Sequence, residues 1–412
     1  MGSSSTARAC GTRAGVLVFG AALAVVLMLA PAAQAASFGR VVPHGWDQHP
    51  GHGLRALPRT GDAATTYGLW DAQPSGALIA SWGSLTTVTA TDATGKTAWS
   101  VSGQDVSTAS GVLPAAMAAV FDNPDPNVLR SGTLYAYNAD GSVRFQKSFT
   151  KAFVQPLCDT SKRLVWVEVS ARRVTRVFVR QGSVTHTLAL PYRASKASFP
   201  NPVACSANGS HLAVGTFLRA PNAWRDLVYW IAVSRSGVPV IVSHRVTDWV
   251  SVSLSPGGAW AAVMTGDDQP NLWLRFGRFS GRDLPGEDTS EIVVGSQAIF
   301  EMQGYSYGSD TTSWGVYTAE VLDRPALVPL YKRAWVNDGQ SGDVWFNTDP
   351  GMGWLTSLNA TPGSLIVVNL MTWDTVTVPT VYVDAMPVKG GQIATLTDTG
   401  TLAYIANPVP NP

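Results

Sequence analysis

The sequence has little charge of either sign. Of its 412 residues, 14% are Asp, Glu, Lys or Arg, and the formal net charge is +1. Proteins that hold nucleic acid or acidic lipid through bulk charge carry a basic surplus, so the composition speaks against both partners. Beyond residue 30 no apolar run approaches the ~20 residues that cross a bilayer as a helix, so no integral membrane segment is expected in the mature chain. No sustained apolar repeat at the helical period of about 3.6 is present. The 39 Gly and 26 Pro cut the chain into short segments, which disfavours long helices. There is no G-x-S-x-G elbow, no phosphate loop of the G-x-x-x-x-G-K type and no H-E-x-x-H. No cofactor is expected, and no catalytic residue is assigned.

The first 35 residues have the three parts of a secretory signal peptide, in order. Arg8 and Arg13 form a positive start, Val16 to Ala30 an apolar run, and Ala33-Gln34-Ala35 a small-residue cleavage pattern. The run is short for a membrane anchor, and the two arginines are not adjacent, which excludes a twin-arginine signal. Residues 1–35 are therefore read as a signal peptide cleaved near Ala35/Ala36, which makes the protein secreted or periplasmic. Cys10 leaves with that segment and precedes the apolar run, unlike a lipoprotein cysteine. Cys158 and Cys205 remain. A lone pair in an exported chain suggests one disulfide; two buried thiols in neighbouring strands are the alternative.

The most informative feature is a repeat. Ala90 to Trp99 and Ala136 to Phe145 both read A-x-[D/N]-A-x-G-x-x-x-aromatic. Asp or Asn enters a turn, Gly accepts positive φ, the chain reverses, and the aromatic packs on the next layer. A second motif sets an apolar strand, a Ser/Pro/Gly/Asn turn and another apolar strand in series. It begins at Cys158, Cys205 and Leu254, with weaker copies near Trp70, Thr348 and Met386 and poor ones near Leu113 and Met302. The spacing is about four strands, the size of one propeller blade. The fold expected is all-β: a β-propeller of eight blades, or seven if a poor copy is a loop, each of four antiparallel strands. The last repeat is short of a strand, and Phe38 to Val42 is the donor expected to close the ring. Residues 36–66 form that closing strand and a His-rich lead-in, and residues 67–412 the propeller.

Asp92, Gly95, Lys96 and Trp99, with Asn138, Gly141 and Phe145, resemble the turn of the quinoprotein-type repeat family, whose rings commonly have eight blades. Leu254-Ser255-Pro256-Gly257-Gly258 looks like the turn shared by WD-type and related bacterial propellers. The resemblance covers about half of the mature chain and implies architecture more than activity. Quinone-dependent dehydrogenases of the family would imply a bound cofactor, calcium and a pair of adjacent cysteines, which this sequence lacks. Members without these features are scaffolds, among them the propeller lipoproteins that assist outer-membrane protein assembly. The resemblance thus points to binding.

Candidate sites follow from residue type and placement. His44, His49 and His52, with Asp47, are donors of the kind that hold Zn²⁺ or Cu²⁺, although their spacing matches no metal motif and a polar lead-in explains them as well. Trp82, Trp99, Trp166, Trp230, Trp260, Trp273 and Trp345 lie in β-patterned runs and read as filling between blades. In a four-stranded meander the first-to-second and third-to-fourth turns share one face, and the second-to-third loops and blade connections share the other. Both repeated motifs are of the first kind. The long, dissimilar segments 122–131, 218–226, 266–271 and 305–312 fall on the second face. They carry Arg219, Trp224, Arg225, Asp226, Asp267, Asp268, Tyr305, Tyr307 and Asp310, and Trp, Tyr and Arg are the types that anchor interfaces. The expectation is a monomer that binds a protein or glycan partner there and takes no nucleic acid. The alternative is a propeller enzyme acting on polysaccharide, a lyase or glycosidase, with carboxylates converging at one mouth of the ring. Intact-mass measurement of exported protein is expected to place its first residue near Ala36; a start at Met1 in the membrane fraction would remove the export reading.

Overall fold

The structure is a computed structural model that describes residues 66–125, 128–194, 200–220, 223–265, 270–284, 289–294, 298–307, 314–323, 329–337, 344–349, 354–359, 364–369, 375–379, 382–388 and 392–408. All regular elements among them are β-strands, and every pairing is antiparallel between consecutive strands. The strands form meanders at residues 66–103, 105–150, 152–189, 203–247, 249–283, 289–337, 344–379 and 382–406. These are numbered blades 1 to 8, and this is the architecture of a β-propeller. Blades 2 and 3 share one long strand, Val143–Asp159. Its first part pairs with Arg130–Tyr137 and its second with Leu164–Ser170. Lys151, at φ +48°, lies between the two parts and turns the chain from one blade into the next.

Burial explains why the strands differ in sequence. The second strand of a blade is covered on both faces and reads as a continuous apolar run, as in Gly76–Trp82, Ala116–Phe121 and Leu164–Ser170. Third strands alternate buried with half-buried residues, as in Thr86–Asp92 and Thr175–Gln181. Fourth strands are largely exposed, as in Thr97–Gly103 and Val184–Ala189. The cores lie between blades. Phe121, Leu134 and Phe149 of blade 2 meet Val154, Leu164 and Trp166 of blade 3. Val165, Val177 and Val179 of blade 3 meet Leu212, Val214 and Tyr229 of blade 4. Val228 and Trp230 meet Trp249, Val252 and Val263 of blade 5. Apolar area removed from water this way contributes about 25 cal/mol per Å².

The repeated turns have repeated hydrogen bonds. In blade 1 the Gly95 N–H donates to the Asp92 carbonyl at 3.0 Å and the Asp92 N–H to the Lys96 carbonyl at 2.9 Å; in blade 2, Gly141 to Asn138 and Asn138 to Ser142 give the same two distances. Gly95 and Gly141 sit at φ +82° and +84°, where a side chain is strained. The aromatic that ends each motif packs on the next blade. Trp99 stacks on Tyr137 with centroids 4.4 Å apart, and its indole N–H donates to the Pro114 carbonyl at 2.7 Å. Phe145 meets Trp166 at 5.3 Å. One tryptophan departs from the expected filling role: Trp260 is 38% exposed, stacked on Trp273 at 5.5 Å, because it stands at the turn end of its strand. The side chain of Trp345 lies outside the described residues.

Blade 8 has three described strands, Tyr382–Val388, Gln392–Thr397 and Leu402–Ala406, and it packs on blade 1. Leu69, Ala77 and Ile79 meet Met386, Val388, Ala394 and Leu396. Asp384, 1% exposed, accepts the Leu69 N–H at 2.8 Å and the Ala385 N–H at 2.8 Å. The Tyr404 hydroxyl donates to the Gln73 carbonyl at 3.1 Å. The proposed closing strand, Phe38 to Val42, lies outside the described residues. Replacing Asp384 by Ala leaves two buried N–H groups short of their acceptor, each costing about 1–3 kcal/mol. Urea unfolding of Asp384→Ala is therefore expected to show a loss of about 2–6 kcal/mol, with part recovered in Asp384→Asn, and an unchanged midpoint would mean that blades 1 and 8 do not depend on this contact.

Candidate functional site

The two faces of the propeller are built differently. One carries the first-to-second and third-to-fourth turns; those among the described residues are short, and those of blades 3 and 4 are tied to one another. Arg163, in the first turn of blade 3, is buried and donates to Gln181 Oε1 at 3.1 Å, to the Gly209 carbonyl at 3.1 Å and to the Ser234 carbonyl. Gln181 Nε2 in turn donates to the Arg235 carbonyl at 3.0 Å. Gly209 and Ser234 belong to the first and last turns of blade 4, so one guanidinium spans two blades on this face. Beside it Cys158 and Cys205 are joined as a disulfide across the first strands of blades 3 and 4, with Cα atoms 6.1 Å apart. Arg144 pairs with the buried Asp159. Burial pushes the Asp159 carboxyl up to about 6, against the Arg144 guanidinium, which pulls it down.

The second face carries the second-to-third connections. In blade 2 the segment after Phe121 is held by its own polar groups: Asp122 Oδ1 accepts the Ser131 N–H at 3.0 Å and Asn123 Oδ1 the Asp125 N–H at 2.9 Å. Arg130, buried, pairs with Asp105 at 2.7 Å and lies 3.5 Å over the Phe121 ring. In blade 5, Asn271 Oδ1 accepts the Thr265 N–H at 3.3 Å.

Blades 4 and 6 differ from the expectation. Residues 218–226 read as a loop because Arg, Pro, Asn and Trp interrupt the apolar pattern. They are instead the end of a long hairpin, His211–Ala220 with Ala223–Val233. Its register sets Leu218 opposite Arg225, Arg219 opposite Trp224 and Ala220 opposite Ala223. The first strand of the blade reaches only to Val214, and the fourth only to Asp226. Residues 218–225 thus extend beyond both flanking strands. In blade 6 Tyr305 and Tyr307 likewise lie in a strand, Ala298–Tyr307, rather than in a loop. Tyr307 faces Trp314 across the hairpin, and Tyr305 faces Val316, which pairs on its other side with Val336 of the fourth strand. Cross-strand pairing thus overrides the local polarity of these residues.

Arg219, Trp224 and Arg225 are therefore brought together at the end of one hairpin, and Tyr305, Tyr307 and Trp314 at the end of another, with blade 5 between them. Trp314, like Trp224, reads from the sequence as a surface candidate because it stands beside a polar turn, and the register sets it opposite Tyr307. Asp226 is placed differently. It is 9% exposed and sits opposite Thr247 at the root of the hairpin, so it belongs to the sheet interior. Asp267, Asp268 and Asp310 lie outside the described residues, as do His44, His49 and His52. Among the described residues no group of three or more His, Cys, Asp or Glu gathers as a metal site, and no helix is long and apolar enough to cross a membrane.

No family model matches the chain, and no curated protein matches it. Its shape is similar to solved β-propellers. The Dos1 propeller shares 10% identity over 84% of this chain and 93% of its own, with a TM-score of 0.47. BamB from Moraxella catarrhalis shares 12% over 82% and 83%, with a TM-score of 0.28. TolB from Acinetobacter baumannii shares 12% over 77% and 79%, with a TM-score of 0.35. Likeness at this level concerns the fold alone, and the chain is a β-propeller.

The turn face has its own pH dependence. The folded Asp159 carboxyl lies at about 6, above its ordinary 3.8, so the folded chain holds this proton more tightly than the unfolded one. Stability from this group is full below 3.8 and is lost as pH rises through about 6. The loss is roughly 2–3 kcal/mol. Urea unfolding at a series of pH values is expected to show that decline, and Asp159→Asn should flatten it; a variant that keeps the full slope would assign it to other groups.

Proposed function

We propose that this protein is an exported, non-catalytic eight-bladed propeller that binds a protein partner through the face carrying the second-to-third connections. The observation that carries this reading is the asymmetry between the faces. The described turns on one face are short and alike, and those of blades 3 and 4 are bonded to one another, which suits a structural role. On the other, the hairpin of blade 4 runs past its flanking strands and carries Arg219, Trp224 and Arg225 at its end, and the hairpin of blade 6 carries Tyr305, Tyr307 and Trp314 at its own. Variable elements on a rigid scaffold are where recognition tends to reside, and these residue types dominate interface energetics. Export rests on the signal-peptide pattern of residues 1–35, which places the mature protein in the periplasm or outside the cell. A monomer suffices for this role.

The test uses the partner recovered from the native envelope or culture fluid. Trp224→Ala and Tyr307→Ala are each expected to weaken its binding tenfold or more, the loss of a hot-spot residue being worth about 2 kcal/mol, and the double variant to weaken it further. Changes in the turns Asp92 to Gly95 and Asn138 to Gly141 should leave affinity intact. The reverse pattern would put function on the other face, and turnover of a polysaccharide by the wild-type protein would make it an enzyme.

A further inference from the structure

The near-neutral net charge conceals a segregation. Residues 144–196 hold eleven of the chain's 29 Lys and Arg but two of its 28 Asp and Glu, leaving 18 bases and 26 acids elsewhere. This segment is the last strand of blade 2, then blade 3 and its connection to blade 4. Its two acids are both engaged, Asp159 with Arg144 and Glu168 with Lys147. Neither offsets the remaining bases.

Several of those bases are gathered at one end of the blade by backbone pairing. The second-to-third turn carries Arg172 and Arg173. The first strand enters beside it, since Ala152 pairs with Ser170, and this places Lys151 next to the turn. The connection to blade 4 returns to the same place: the Ala194 N–H donates to the Arg173 carbonyl at 3.0 Å, and the Leu190 N–H to the Thr175 carbonyl at 2.9 Å. Arg193 therefore joins the group. Lys151, Arg172, Arg173 and Arg193 are all exposed. The patch continues onto blade 4 through Tyr192, 50% exposed, whose ring lies 5.6 Å from that of His244, and through the exposed Arg245. This is the face of the second-to-third connections, next to the hairpin that ends in Arg219 and Trp224.

We infer that this cationic end of blades 3 and 4 docks an acidic segment of a protein partner. The inference rests on the binding face proposed above and names the chemistry of what it binds. Charge complementarity selects an anion, and the predominance of Arg suits carboxylates, which the guanidinium fork meets two oxygens at a time. Exposed Tyr192, Val246 and Val250 beside the bases give the patch the Arg, Tyr and aliphatic mixture of a protein interface, an apolar component that a polyanionic glycan does not need. A folded scaffold of low net charge that concentrates its bases in one place also gains steering toward acidic partners.

The probe is poly-L-glutamate, measured by fluorescence anisotropy with the full exported chain. Polygalacturonate and phosphatidylglycerol vesicles are run beside it. Wild type is expected to bind poly-L-glutamate with an affinity that falls steeply with salt. Arg172→Glu with Arg193→Glu should lower it at least tenfold, while Arg172→Lys with Arg193→Lys retains most of it. Unchanged far-UV circular dichroism and melting show that the reversed variant is folded. Equal binding by the charge-reversed variant overturns the inference, as does no binding of poly-L-glutamate. Binding of polygalacturonate or of the vesicles in its place also overturns it, making a glycan or a membrane the occupant. Hydroxyl-radical footprinting of the complex with the native partner separates this inference from the reading beneath it. Protection of Trp224 and Tyr307 without any effect of charge reversal refutes the acidic partner and leaves the face standing. Protection confined to the Asp92 and Asn138 turns refutes the face itself.

Discussion

Each blade of this protein is a sheet of three or four short strands with apolar residues on both faces, and such a sheet cannot cover either face itself. Every core described lies between two blades rather than within one. The packing of blade on blade is the constraint on which the rest depends. It explains the gradient from apolar second strands to exposed fourth strands, since coverage declines as neighbouring sheets splay outward. It also explains why blade 8 packs on blade 1: without that contact two apolar faces would meet water, at about 25 cal/mol per Å².

Polar groups then set the geometry that apolar packing leaves open. Packing is indifferent to small rotations of one sheet on another, whereas a hydrogen bond is not. Arg163 reaches two turns of the next blade, the Trp99 indole reaches the Pro114 carbonyl, and Asp384 accepts the Leu69 N–H. The Cys158–Cys205 disulfide joins first strands where the blade 4 strand is only three residues long, the place where a ladder has least to offer. Three of these four devices act between turns or strand ends on one face. Fixing that face leaves the other free to carry elements of different length, among them the long hairpin of blade 4 and the cationic end of blade 3.

Much of the architecture was legible in the sequence because its signals are local. The Asp92–Gly95 and Asn138–Gly141 turns and the Ser206–Gly209 and Ser255–Gly258 turns each close through hydrogen bonds within five residues or so, so residue type and spacing suffice to recognise them. Trp260 was misread because a tryptophan in a β-patterned run has the same sequence whether it stands at the middle of a strand or at its end.

The candidate site was legible in its residues but not in its form. Sequence alone determined that Arg219, Trp224, Tyr305 and Tyr307 belong to dissimilar segments between repeats, since repeat and non-repeat can be told apart by inspection. Only tertiary structure decided that they lie in the paired strands of hairpins, because strand length there depends on which residue faces which, Arg219 on Trp224 and Tyr307 on Trp314, and a register is a property of two segments together. Tertiary structure likewise took Asp226 into the sheet, and it set Lys151, Arg172 and Arg193 side by side at one end of a blade. Charge along a chain sums to a number, whereas charge on a surface depends on where the fold brings each residue, and that is why a net of +1 concealed this cluster of bases.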